Sequence, residues 1–220
     1  MKTIAVIHTV HSVIDPFDAL LHAHIPDLTV YHMLDEFLSI DPNRQDAFSD
    51  KHQHRLHALL RMAMDTAPDL IACTCSTLSQ HIRQYRADAA VPLVPIDEAM
   101  IRQAVASGQP ILILGTAQSS IAPLCCGLRE AAASENLETP DIAYKVFPHA
   151  FETLQRRGRD AHDAILLSEA RHITHRGIVL LSQASMAHLQ AALEKTLQCP
   201  VYSAPALCVR QISEQLEETR

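Results

Sequence analysis

The sequence predicts an α/β fold made of two similar halves, each a parallel sheet covered by helices, and three observations carry that prediction. Short apolar runs recur between longer amphipathic stretches, and they are near-continuous rather than alternating, as strands buried on both faces must be. The composition is that of a globular chain: 220 residues, 48% hydrophobic, 20% charged and only five glycines, which excludes disorder and fibrous repeats. Finally, the chain repeats itself at a shift of 107 to 108 residues.

The strands follow in order. "TIAVIH" (3–8) opens the chain, and "LTVYHM" (28–33) is the second apolar run. Arg44 to Thr66 reads as a single helix, followed by "DLIACTC" (69–75), a strand that ends on two thiols. A helix over Glu98 to Ser107 leads to "PILILG" (110–115), then come "IAYKVF" (142–147) and "GIVLLS" (177–182). Ala184 to Leu197 reads as a helix, and "PVYS" (200–203) is the last strand. Strands alternating with helices imply a parallel sheet.

The repeat sets "IAVIHTVHSVIDPF" (4–17) over "ILILGTAQSSIAPL" (111–124), with Ile4/Ile111, Thr9/Thr116, Ser12/Ser119, Ile14/Ile121 and Pro16/Pro123 identical. "VPLVPIDEAMIRQ" (91–103) matches "CPVYSAPALCVRQ" (199–211) at nearly the same shift. The expected halves are 1–96 with 205–220, carrying Cys75, and 97–204, carrying Gln183. Gln183 stands opposite Cys75 at a shift of 108.

Composition narrows the function. A net charge of −7 argues against a nucleic-acid surface, and the one basic run, Arg156 to Arg159, reads as a solvated loop. No apolar run approaches the roughly 18 residues needed to span a bilayer, and the opening residues enter a strand pattern instead of a signal-peptide core. A cytoplasmic protein is expected, with its six cysteines as reduced thiols. Cys125 and Cys126 in a helix, and Cys199 and Cys208 beside the last strand, read as structural. The pairs within "HQHRLH" (His52, His54, His57) and "HITH" (His172, His175) have helical spacing but no zinc signature, so they read as solvated or interface helix faces and no metal is expected.

Ligands of open parallel sheets bind beyond the carboxyl ends of the strands. "TCST" (74–77) lies at such an end. A thiol ahead of a helix sees the helix's positive end, which lowers its pKa from about 8.5, and the hydroxyls of Ser76 and Thr77 with nearby amides make an anion pocket. The local residues equally allow a buried cysteine followed by an ordinary helix cap. His8 and Thr9, with Gly115 and Thr116, end the other paired strands.

"IAVIHTV", "LDE" (34–36), "LIACTCST", "VPLVPIDEAM", "ILILGTAQSSIAP", "HD" (His162, Asp163) and "IVLLSQASMAHL" together resemble the aspartate/glutamate/hydantoin racemase superfamily in order and spacing, over most of the chain. The resemblance implies two pseudo-symmetric Rossmann-like domains with the active site in the cleft between them, no cofactor, and a small carboxylate substrate. It implies an isomerase, and homo-oligomers are common among its members. Its enzymes use two cysteines, one per half, as acid and base on opposite faces of an α-carbon.

Carried over by position, the first cysteine is Cys75, with Cys73 as a competitor because "IAC" also resembles a family strand end. Thr9, Ser76, Thr77, Thr116, Gln183, Ala184 and Ser185 become substrate-binding candidates. Where related chains read "LGCAGMA", this one has "LSQASMA" (181–187), so Gln183 replaces the second thiol. An amide cannot usefully exchange a proton near neutral pH. His8 either pairs with Cys75 and tunes its thiolate or is simply hydrogen-bonded at a strand end, and Asp35 and Glu36 read as loop residues. The implied alternatives to a racemase are a single-thiol decarboxylase, a cis–trans isomerase and a non-catalytic carboxylate binder.

Overall fold

The computed structural model describes residues 2–45 and 47–218. The chain divides into two compact units, Met1–Ala99 with Pro205–Arg220, and Met100–Ala204. The first contains β1 (Lys2–His8), α1 (Ile14–His24), β2 (Leu28–Leu34), α2 (Phe37–Gln45), α3 (Asp50–Met64), β3 (Leu70–Cys73), α4 (Ser79–Tyr85) and β4 (Leu93–Pro95). Helix α5 (Glu98–Ala106) leads into the second unit, with β5 (Ile111–Gly115), α6 (Ile121–Ser134), β6 (Ile142–Val146), α7 (Pro148–Arg157), α8 (Arg159–Ala170), β7 (Ile178–Leu181), α9 (Gln190–Leu197) and β8 (Val201–Ser203). Helix α10 (Ala204–Glu218) completes the first unit.

Each unit has one all-parallel four-stranded sheet, ordered β2-β1-β3-β4 in the first and β6-β5-β7-β8 in the second. The two orders are the same once the strands are counted from each unit's start, as the internal repeat requires. Burial explains the apolar runs. In the first unit Ala5, Ile7 and Ile71 pack on Leu56, Leu60 and Ala63 of α3. The alternate residues Ile4, Val6, Leu70 and Ala72 are also fully buried, so neither face of the central strands meets water. In the second, Leu112, Leu114, Val179 and Leu181 pack against Leu166 and Ala170 of α8 and Leu193 of α9.

Several elements differ from expectation. The predicted helix over 44–66 is two helices, because Ser49 starts α3 with a reciprocal cap in which His52 Nδ1 accepts from the Ser49 N–H at 2.9 Å. His52 is therefore fully buried between Phe37 and Phe48, with Nε2 donating to Asp41 at 2.9 Å, instead of facing solvent. His175 lies in the turn after α8, near the Pro110 and Ile178 carbonyls, and not on a helix. Arg156–Arg159 is not a loop but the joint of α7 and α8, turned by Gly158 at φ 80°. Cys208 sits buried in α10. Strand β4 is not legible in the sequence because Pro92 precedes it and Pro95 is its last residue, and proline is a poor strand signal.

Among the described residues no helix is long and apolar enough to cross a membrane, and none groups three side chains able to hold a metal ion.

Candidate active site

The carboxyl ends of the two central strands in each unit run into short 3-10 turns, and all four turns begin alike. The residue before each turn is extended: Val10 (φ −137°, ψ 118°) and Cys75 (−109°, 109°) in the first unit, Ala117 (−129°, 131°) and Gln183 (−128°, 133°) in the second. The hydrogen bonds that set this geometry also repeat. Thr74 N–H donates to Ile7 O, and Ser182 N–H to Leu114 O, both at 2.9 Å; Leu78 N–H donates to Cys75 O and Met186 N–H to Gln183 O, both at 3.0 Å. Cys75 and Gln183 thus occupy the same backbone position in their own units.

Strand β3 stops at Cys73, two residues earlier than the apolar run suggests, so Cys75 caps the turn instead of ending the strand. Its thiol is buried. The Thr9 and Thr77 side chains and the Leu78 and Thr77 amides lie around the sulfur and favour the thiolate, but burial outweighs them and pushes the thiol up. The expected lowering by a helix terminus is therefore not what this environment produces. Ser76 and Thr77 are half-buried beside it. Cys73 is buried within the strand and raised well above a normal thiol, first by burial, with Cys75, Asp97 and Cys208 as neighbours that oppose its charge.

His8, at the end of β1, is fully buried. Both ring nitrogens are engaged, Nδ1 with Thr74 Oγ1 and Nε2 with His32 Nδ1, each at 2.9 Å, so it reaches the thiol stretch through Thr74 rather than by gripping Cys75. Burial, reinforced by His32 and opposed by Asp18, lowers its pKa to about 4. His32 Nε2 lies 3.0 Å from Asp18 Oδ1. Thr74, His32 and Asp18 were not legible as site residues; the only sequence sign was a histidine inside the apolar run of β2.

Just past β4, Asp97 is 1% exposed. Burial raises its carboxyl to about 6 against the opposing Arg83, whose Nη1 stands 3.4 Å from Oδ1. Ser79 also favours the charged form.

In the second unit Thr116 is buried and its N–H and hydroxyl both donate to Gln183 Oε1, at 2.7 and 2.9 Å. Gln183, Ala184 and Ser185 are half-buried. A Cβ at Gly115 would stand 2.4 Å from Ser182 Oγ, so a side chain there requires Ser182 to move. Asp163 accepts from His188 Nε2 and lies against His162 Nδ1, both at 2.7 Å. Gln183→Ala strands the Thr116 amide, and is expected to destabilise the second unit by about 1–3 kcal/mol, read as a lower midpoint in urea.

The sequence profile described as Asp/Glu/Hydantoin racemase matches residues 4–212. A search of curated protein sequences finds no match. Among solved structures, glutamate racemase from Thermus thermophilus, crystallised with β-chloro-D-alanine, superposes with a TM-score of 0.73 at 16% identity, covering 99% of this chain and 81% of that one. Allantoin racemase from Klebsiella pneumoniae gives 0.67 at 13%, covering 100% and 89%. The Picrophilus torridus aspartate racemase gives 0.66 at 14%, covering 98% and 94%. Identities this low carry the fold alone, but the profile spans nearly the whole sequence, and the chain belongs to the Asp/Glu/hydantoin racemase family.

Proposed function

We propose that this chain is a cofactor-independent, isomerase-like enzyme that acts on a small carboxylate, with Cys75 moving a proton at the carbon next to the carboxylate. The observation that carries the reading is the placement of Cys75, a buried thiol that opens the turn at a strand end, with donor groups of Thr9, Thr77 and Leu78 around it that favour its charged form. Such donors favour a transient thiolate without water. Because burial keeps the resting thiol protonated, Cys75 begins as the acid and becomes the base once its proton has left.

Ser76 and Thr77, with their amides, are the proposed carboxylate contacts of the first unit, and Thr116, Gln183, Ala184 and Ser185 are the proposed substrate contacts of the second. Gln183 already presents its carbonyl oxygen to Thr116, so its amide nitrogen is left to donate. An amide donor steadies an ene-diolate but cannot deliver a proton to it. That favours a second reading within the family, one-face protonation after loss of carbon dioxide from a malonate-type acid.

Incubation in heavy water with amino acids, hydantoins, malonates and hydroxy acids tests both, with deuterium at the α-carbon read by NMR. Incorporation into one class supports the enzyme. Tight carboxylate binding with no incorporation and no carbon dioxide overturns it in favour of a binding protein.

A further inference from the structure

We propose that His32, His8 and Thr74 form a pH-driven tautomer switch: when His32 gains a proton at the surface, the hydrogen of the buried His8 ring moves from Nε2 to Nδ1, and the Thr74 hydroxyl turns from His8 to the Ile7 carbonyl. The switch acts on the residue next to Cys75 in sequence and does not depend on what the thiol does.

The parts form one line of hydrogen bonds. Thr74 Oγ1 lies 2.9 Å from His8 Nδ1, His8 Nε2 lies 2.9 Å from His32 Nδ1, and His32 Nε2 lies 3.0 Å from Asp18 Oδ1. Thr74 Oγ1 also has the Ile7 carbonyl within reach, at 3.4 Å. His8 is fully buried, whereas the His32 side chain is 25% exposed and that of Asp18 36%. Strand β1 and helix α1 pack against β2, and the titratable groups they turn towards His32 are His8 and Asp18, with His22 Nε2 3.4 Å from the same Asp18 oxygen. Phe17 of α1 meets the His8 ring edge-on.

A neutral imidazole has one donor and one acceptor nitrogen, so each link fixes the next. With both rings neutral and Asp18 ionised, the carboxylate only accepts, so His32 carries its hydrogen on Nε2 and accepts at Nδ1. His8 then donates from Nε2 and accepts at Nδ1, where the Thr74 hydroxyl donates to it.

A protonated His32 donates from both nitrogens. Its Nε2–H stays on Asp18, now within an ion pair, and its Nδ1–H needs an acceptor, which is His8 Nε2. A neutral His8 accepts there only with its own hydrogen on Nδ1, which donates to Thr74 Oγ1. The hydroxyl hydrogen is thereby displaced towards Ile7 O, where the Thr74 N–H already donates at 2.9 Å. Acid thus ties the residue ahead of Cys75 to β1 twice. One proton has entered from water: hydrogens on Thr74 Oγ1, His8 Nε2 and His32 Nε2 have become hydrogens on Thr74 Oγ1, His8 Nδ1, His32 Nδ1 and His32 Nε2. The charge stays on the part-exposed ring beside a carboxylate, and the inner ring, whose burial opposes charge, remains neutral.

The second unit holds the same strand end without a titratable group. Gly115 stands where His8 does and Ser182 where Thr74 does, at shifts of 107 and 108, and Ser182 Oγ meets Ser120 Oγ at 2.8 Å. In register, Tyr144 replaces His32, since Val6 pairs with His32 and Ile113 with Tyr144. The fold therefore asks only for a hydrogen-bond partner at this hydroxyl, and the imidazole pair is what makes it respond to pH.

Nitrogen NMR of histidine-labelled protein reads the switch, because protonated and unprotonated ring nitrogens resonate far apart, and the His8 signals are assigned by their loss in His8→Asn. Between about pH 8 and pH 5, the span in which imidazole changes charge, the two His8 nitrogens of the wild type are expected to exchange shifts, Nε2 losing the hydrogen and Nδ1 gaining it, while the ring stays neutral. In His32→Phe they are expected to keep one pattern throughout. Asp18→Leu alters a part-exposed helix position and removes the charge that favours a protonated His32. The exchange is expected at lower pH in that variant, which tests the switch even if His32→Phe does not fold. A His8 ring that keeps one tautomer across the range in wild type overturns the proposal, as does an exchange that falls at the same pH in wild type and Asp18→Leu.

Discussion

Cys75→Ser lowers α-carbon deuterium incorporation by about 10²- to 10⁴-fold, the range expected for loss of a positioned acid–base group, whereas Cys73→Ser leaves it within a few-fold of wild type. The prediction separates two thiols that are one residue apart. Cys73 is part of β3 and packs in the core with Leu56, Leu60 and Ile82. Its ionisation is opposed by burial and by the neighbouring Cys75, Asp97 and Cys208. Cys75 borders the same core but lies beyond the strand, where it opens the turn and the Thr9 and Thr77 side chains favour its charged form. A serine there is close in size but lacks the acidity, so folding should survive while exchange does not. Exchange unchanged in Cys75→Ser and lost in Cys73→Ser would show that the inner thiol reacts.

Much of the architecture was readable because burial on both faces writes itself into composition. Runs such as Ile4–Ile7 and Ile111–Leu114 have no polar face, and at 0–7% exposure they need none. The repeat was readable because Thr9/Thr116 and Cys75/Gln183 hold equivalent backbone positions, where hydrogen bonds recur with nearly equal lengths. Breaks were less visible: Ser49 interrupts an amphipathic pattern that continues on either side of it.

Electrostatics could not be read in advance. The apparent benefit of a helix terminus at Cys75 is a local property, but the desolvation that defeats it comes from the surrounding core. His8 shows the same limit from the other side. Its partners lie 24 and 66 residues away in sequence, and the pairing depends on the register of β2 and β3 beside β1. Sequence spacing alone held no trace of it.

The stability of the first unit should depend on pH with opposite signs in His8→Asn and Asp97→Asn. In the folded state His8 sits at about 4 instead of 6.5, so between those values the unfolded chain binds a proton that the folded one does not. Stability from His8 is therefore complete above pH 6.5 and falls as pH drops to about 4. Asp97 sits at about 6 instead of 3.8, so there the folded state holds the extra proton and stability rises as pH falls across that window. At 1.36 kcal/mol per pKa unit each effect is about 3 kcal/mol, and in the wild type they nearly cancel between pH 4 and 6. Urea denaturation across this range should show Asp97→Asn losing stability with acid and His8→Asn gaining it, each relative to wild type. Residues elsewhere titrate alike in both variants and drop out of their difference. A difference of the same sign at every pH, with no crossing trend, would mean that one of these two burials does not set the charge of its group.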